Sequence, residues 1–138
     1  GNILDDEDWS KYSNVYFHGG FANPRDLAKI YATIDINVAC YDPASGNVSI
    51  AEPNKLYESM FFGKPLVVTA GTYVHRRVES FGIGFGIDAL SDEAITTFIE
   101  NLTTDAISTC QLNCFEITAD HLVDNPIKDM ELIKEYLA

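Results

Sequence analysis

Ser49-Ile-Ala-Glu-Pro-Asn-Lys-Leu-Tyr-Glu-Ser-Met-Phe-Phe-Gly-Lys-Pro-Leu-Val-Val-Thr69 reads as loop, helix, stop and buried strand. Pro53 suits the first helical turn, where its missing N–H leaves no bond unmade. Leu56 and Met60 are four residues apart and share one helix face. Gly63 supplies the stop and Pro65 forbids continuation. Leu66-Val-Val-Thr69 has no polar alternation, the pattern of a short strand in a parallel sheet. Glu58 falls about one turn inside the helix, beyond a start whose N–H groups lack intrahelical partners. Such a start holds phosphate. A carboxylate one turn on can accept from both hydroxyls of a vicinal diol such as ribose.

Strand and helix alternate on both sides of this stretch. Val15 to His18 predicts a strand. Asn23, Pro24 and Asp26 predict a helix start, and Leu27, Ile30, Tyr31 and Ile34 follow at i, i+3, i+4, i+7. Ile36 to Tyr41 is a second strand. Asp42 to Glu52 is a polar loop, longer than the usual ~2–6 residues of a βα connection, and long loops there bind ligands. After the strand at 65–69 comes the small-residue turn Ala70-Gly-Thr72. Val74, Val78 and Phe81 mark a further helix, stopped by Gly82, and Ile83 to Ile87 is a fourth strand. Ser91 caps a helix whose Ile95, Phe98, Ile99 and Leu102 repeat the helical spacing. Four such units predict an α/β chain, a Rossmann-like parallel sheet with helices on both faces. Residues 104–138 leave the alternation and are expected to form C-terminal helices. The last of these starts at Asn125-Pro126 and carries Met130, Ile133 and Leu137.

The chain has 138 residues, enough for one domain with a real core, and we read 1–138 as one unit. A net charge of −12 argues against nucleic acid or an anionic membrane surface as direct partner. No apolar run reaches the ~18 residues of a membrane span. Three cysteines, an odd number, and no secretory signal point to the cytoplasm. Cys110 and Cys114 are one helical turn apart, but no second pair completes a zinc set, so no metal is expected. His75-Arg76-Arg77 is the one dense basic cluster, read as a solvated helix face. Gly82-Ile-Gly84-Phe-Gly86 lacks the spacing and context of a dinucleotide loop, and no Gly-x-Ser-x-Gly elbow supports a hydrolase.

Pro53-Asn-Lys-Leu-Tyr-Glu58 followed by Gly63-Lys-Pro65 resembles the donor-binding helix of GT-B glycosyltransferases, the large retaining group that includes capsule and lipopolysaccharide enzymes. Asn14-Val-Tyr-Phe-His-Gly-Gly-Phe21 resembles the strand and glycine turn beside the nucleotide base. Leu27 to Tyr41, and then Val78 to Ile87, resemble the neighbouring helix–strand units. The resemblance covers about residues 14–102. It implies a C-terminal, sugar-nucleotide-binding half of such an enzyme, truncated at its start. Nothing before Asn14 matches the family's two leading strands and basic pair. In the family a first Glu precedes the second with seven residues between; counted back from Glu58 that position is Ile50, and Glu52 lies two residues later.

Open α/β sheets bind ligands outside the carboxyl ends of their strands. The residues expected to bind the donor are therefore Gly19, Gly20 and Phe21 near the base, Asn54, Lys55 and Leu56 near the diphosphate, Glu52 beside them, and Glu58 at the ribose. Gly19 and Gly20 allow close approach to the backbone. The implied donor is a nucleotide-diphospho-sugar, with no cofactor. The implied reaction is glycosyl transfer to an acceptor in polysaccharide or glycolipid synthesis. The implied partner is a GT-B N-terminal domain, without which the chain should be inactive. Apolar surface facing the missing parts makes a homo-oligomer a further expectation. Two other readings stand beside this one. The first is a non-enzymatic α/β nucleotide-binding or interaction module. The second, a receiver-type domain, fits less well because no acidic pair ends the first strand.

Overall fold

The computed structural model describes residues 8–122 and, beyond them, Met130 and Lys134. Three strands form one parallel sheet: β1 (Asn37–Ala39), β2 (Leu66–Thr69) and β3 (Gly84–Ile87), in the order β1-β2-β3. Val38, Val67 and Phe85 stand side by side across it. Among residues 8–122, five α-helices accompany the strands: α1 (Leu27–Ala32), α2 (Asn54–Phe62), α3 (Tyr73–Phe81), α4 (Asp92–Asn101) and α5 (Thr104–Phe115). The α/β Rossmann-like class read from the sequence is the class observed.

The helices α2 and α3 cross over between consecutive strands and share one face. Leu56 and Met60 of α2 and Val74 and Val78 of α3 form a single buried cluster with Leu66, Val68 and Ile83. Cys114 brings α5 to the edge of that cluster. The opposite face carries α4, where Phe98 lies 5.4 Å from Phe85, centroid to centroid. That face is only partly covered, and Val38 is 64% exposed. All four residues of β2 are buried, as its unalternating sequence requires of a central strand.

Local signals explain most boundaries. Pro53 is the N-cap of α2 in extended conformation, and Gly63 ends the helix at φ 64°. Gly82 ends α3 in the same way at φ 63°. Thr72, Ser91 and Thr103 cap α3, α4 and α5, each side chain accepting from an amide three residues on. Each cap contributes about 1 kcal/mol.

Three expectations need correction. Val15 to His18 forms no strand. Tyr16 and Phe17 are exposed, and Phe17 meets only Trp9 among the ring contacts described. A strand exists through its ladder. Among the described residues no strand lies beside this segment to supply that ladder. The outer edge of β1 is accordingly open among the described residues. The helix expected to be capped by Asn23 instead starts at Leu27. A turn precedes it in which the Asp26 carboxylate accepts from the Ala22 amide at 2.8 Å. The second strand is shorter than Ile36 to Tyr41, because the ladder stops at Ala39. C-terminal to the sheet, α5 accounts for residues 104–115. Of the helix expected from Asn125 only Met130 and Lys134 are described, both helical, and its other residues lie outside the described ones.

Candidate functional site

The carboxyl ends of the strands open onto the loop from Asp42 to Pro53, the turn Ala70–Thr72 and the turn after Ile87. Beyond Ala39 the ladder is replaced by a side chain. The Thr69 hydroxyl donates to the Tyr41 carbonyl at 2.7 Å and accepts from the Tyr41 amide at 3.0 Å. Thr72 donates to the Thr69 carbonyl at 2.7 Å. Between these residues and the loop lies a cavity of about 220 Å³, lined by Ala39, Tyr41, Val48, Ala51, Pro53 and Val74 beside the two threonines. Both threonine hydroxyls are satisfied internally, so the walls are apolar in effect. None of the residues expected to bind the donor lines this cavity.

Those residues gather mainly on the neighbouring α2. The amides of Asn54 and Lys55, at its start, donate to no protein acceptor among the described residues. The Leu56 amide is taken by the Pro53 carbonyl at 2.9 Å, and the Leu56 side chain is fully buried in the core. Glu52 has both oxygens engaged. Tyr57 donates to Oε2 at 2.6 Å, and Arg77 Nε donates to Oε1 at 2.8 Å. This carboxylate therefore ties the end of the loop to α2 and α3 together.

Glu58 faces α1. Its Oε2 accepts from the Tyr31 hydroxyl at 2.7 Å and from Lys55 Nζ at 2.6 Å. Asn37 Nδ2, at the start of β1, donates to the Tyr31 oxygen and to the Ser59 hydroxyl, each at 2.9 Å. The Glu58 side chain is only 12% exposed. Burial pushes its pKa up, but the Lys55 and Tyr31 hydrogen bonds and the Lys55 charge outweigh that and hold it below its ordinary value. The Tyr31 phenol moves the other way, raised by burial and by the carboxylate it faces. Glu58 is thus an ionised carboxylate with one oxygen committed to the protein.

Gly19, Gly20 and Phe21 lie in an exposed stretch. A Cβ at either glycine would meet nothing within 4 Å, and Phe21 is half exposed. No described hydrogen bond, ion pair or ring contact joins them to α2. His75 turns inward: its Nδ1 accepts from the Gly71 amide at 3.2 Å, and its ring is 18% exposed. Arg76 and Arg77 reach over the rings of Tyr73 and Phe81.

The sequence reading missed Tyr31, Asn37, Ser59 and Arg77. Tyr31 sat in an apolar helical stripe and passed for core. The signal for Asn37 was a polar residue opening an otherwise apolar strand. No group of three or more potential metal ligands occurs among the described residues, and no described helix is long and apolar enough to cross a membrane.

No protein-family model matches the chain, and no solved structure matches it. Among curated proteins it is similar to a succinoglycan biosynthesis protein of Rhizobium meliloti (strain 1021), ExoL, with 27% identity over 107 residues. The match takes in 77% of this chain, which spans about 25% of the length of that relative.

Proposed function

We propose that the chain is the sugar-nucleotide-binding part of a glycosyltransferase acting in polysaccharide biosynthesis. The observation that carries this reading is the arrangement on α2. Two amides without protein acceptors among the described residues stand at the helix start, and an ionised carboxylate lies one turn on. Diphosphate at the start and ribose hydroxyls at Glu58 match that spacing. Similarity to a protein named for succinoglycan biosynthesis supports the polysaccharide context.

In the proposed reaction the bond from the anomeric carbon to the diphosphate oxygen breaks, a bond from that carbon to an acceptor hydroxyl oxygen forms, and the hydroxyl's proton passes to the leaving diphosphate. Negative charge builds on the diphosphate as its bond breaks. The Asn54 and Lys55 amides and the Lys55 ammonium offset that charge electrostatically. The acceptor site belongs to a partner domain of GT-B type.

Calorimetry with UDP, GDP and ADP on the polypeptide at its natural length tests the reading. One of the three is expected to bind saturably, and Glu58→Ala is expected to weaken it at least tenfold, the charge-assisted hydrogen bond from ribose to its open oxygen being lost. Saturable binding of none of them would overturn the reading and leave an α/β interaction module.

A further inference from the structure

Glu58 presents its two oxygens to different surroundings. Oε2 takes the Tyr31 hydroxyl and the Lys55 ammonium. Oε1 accepts from no protein group among the described residues. No buried side-chain oxygen or nitrogen described here lacks a hydrogen-bond partner. Oε1 therefore reaches solvent, although the side chain as a whole is largely enclosed.

The group that sets this division is held from behind. The Tyr31 ring stacks on Phe62 at 4.6 Å and 16°, which fixes its plane. Asn37 Nδ2 donates to the phenolic oxygen at 2.9 Å, so the hydroxyl proton is left for Glu58. Asn37 is itself fixed by the Ser59 hydroxyl and by its place in β1, where its amide donates to the Pro65 carbonyl at 2.8 Å. Helix α1, strand β1 and helix α2 thus each contribute one link. A carboxylate on a two-bond stem otherwise rotates freely and offers either oxygen. Here one oxygen is committed, and the other is left without a protein donor among the described residues and with access to solvent. Pre-organisation of this kind lowers the ordering cost of binding.

We propose that Tyr31 is a positioning residue for ligand recognition: by holding Glu58 Oε2, it aims Oε1 at a hydroxyl of the bound ribose. The inference rests on the proposed sugar-nucleotide site and adds to it the source of ribose selectivity. Because the acceptor is a single aimed oxygen, the site distinguishes a ribonucleotide from its 2′-deoxy counterpart. Loss of the aim costs that discrimination more than it costs diphosphate affinity.

The test uses the polypeptide at its natural length, the tightest-binding of UDP, GDP and ADP, and its 2′-deoxy analogue. Tyr31→Phe keeps the ring and its stacking on Phe62 while removing one hydroxyl. It should weaken the ribonucleotide by about threefold to tenfold, the range for one hydrogen bond, and bring the ribo-to-deoxy affinity ratio close to one. Circular dichroism and thermal unfolding report whether the fold is kept. If Tyr31→Phe fails to fold, Asn37→Asp is the second variant. Its carboxylate accepts the Tyr31 proton in place of Glu58, at nearly unchanged volume, and should lower the ratio in the same way. A folded variant with the wild-type ratio overturns the positioning role, while Glu58→Ala still reports on the site itself. No ribonucleotide binding in the wild type overturns both.

Discussion

The imidazole of His75 fills the space that a side chain at position 86 would need. A Cβ built on Gly86 would lie 2.0 Å from His75 Nε2. The ring is held there by the Gly71 amide on Nδ1, with Glu79 Oε1 3.4 Å from Nε2. The second glycine of β3 is therefore a matter of clearance: the His75 ring, carried by α3, lies so close to the sheet that only hydrogen fits beside it. Gly86→Ala should destabilise the chain by about 1–3 kcal/mol, as overpacking does. His75→Ala placed in the same chain should recover part of that loss. Thermal unfolding of the four proteins of the cycle measures the coupling. Strict additivity would show that the ring is not what the alanine meets.

Glu58 gives stability a pH dependence of known sign. Its folded pKa is depressed below the ordinary glutamate value, so its contribution is present above that value. The contribution is lost as pH falls through the lower folded pKa. Glu58→Gln should therefore be less stable than wild type at pH 7, and the difference should shrink in acid. Urea unfolding at a series of pH values from 7 downward checks this. A gap that widens in acid would contradict the sign.

Cys110 and Cys114 sit on the buried side of α5, at 7% and 2% exposure. Burial, with Cys110 adding to it, pushes the Cys114 thiol up to about 11, and burial raises Cys110 as well. Both are thiols at neutral pH, and the reactive species is the thiolate. Alkylation of the native chain, followed by mass spectrometry, should leave both unmodified until urea unfolds the protein. Rapid labelling of Cys114 under native conditions would show that α5 opens from the core.

Among the described residues the outer edge of β1 has no strand neighbour, and it lies beside the exposed apolar Val38. Isolated at high concentration, the 138-residue chain is expected to self-associate, and Val38→Lys should shift it toward monomer. Light scattering over a range of concentrations measures this. A monomer throughout would contradict it. Of the last-helix residues expected to share in such contacts, Met130 is 56% exposed, and Ile133 and Leu137 lie outside the described residues.

The helix from Asn54, its stop at Gly63 and the buried strand after Pro65 were legible because each rests on local chemistry: a proline at the cap, a left-handed glycine, an apolar run. Val15 to His18 was misread for the converse reason. Its propensity favours a strand, but a strand also needs a neighbour, and propensity does not report neighbours. Glu58 was legible as a carboxylate one turn inside a helix. Its partner Tyr31 lies 27 residues away, and only the packing of α1 on α2 brings the two together. The Thr69–Tyr41 pair was equally hidden, since a hydroxyl that replaces a ladder bond looks like any other threonine. Glu52 stands near α2 as expected, but its partner Arg77 came from a cluster read as solvated.

The loop ahead of α2 has a division of labour that bears on how such chains diversify. From Asp42 to Val48 its described hydrogen bonds run to its own residues, in successive turns. Its ties to the helices come later: the Ser49 carbonyl accepts from the Tyr73 amide at 2.8 Å, and Glu52 grips Tyr57 and Arg77. Insertions, deletions and grafts between Asp42 and Val48 therefore leave both anchorages in place. Of this segment Val48 alone lines the cavity, so most of it can change in length and sequence without touching either the frame or the rest of the cavity wall.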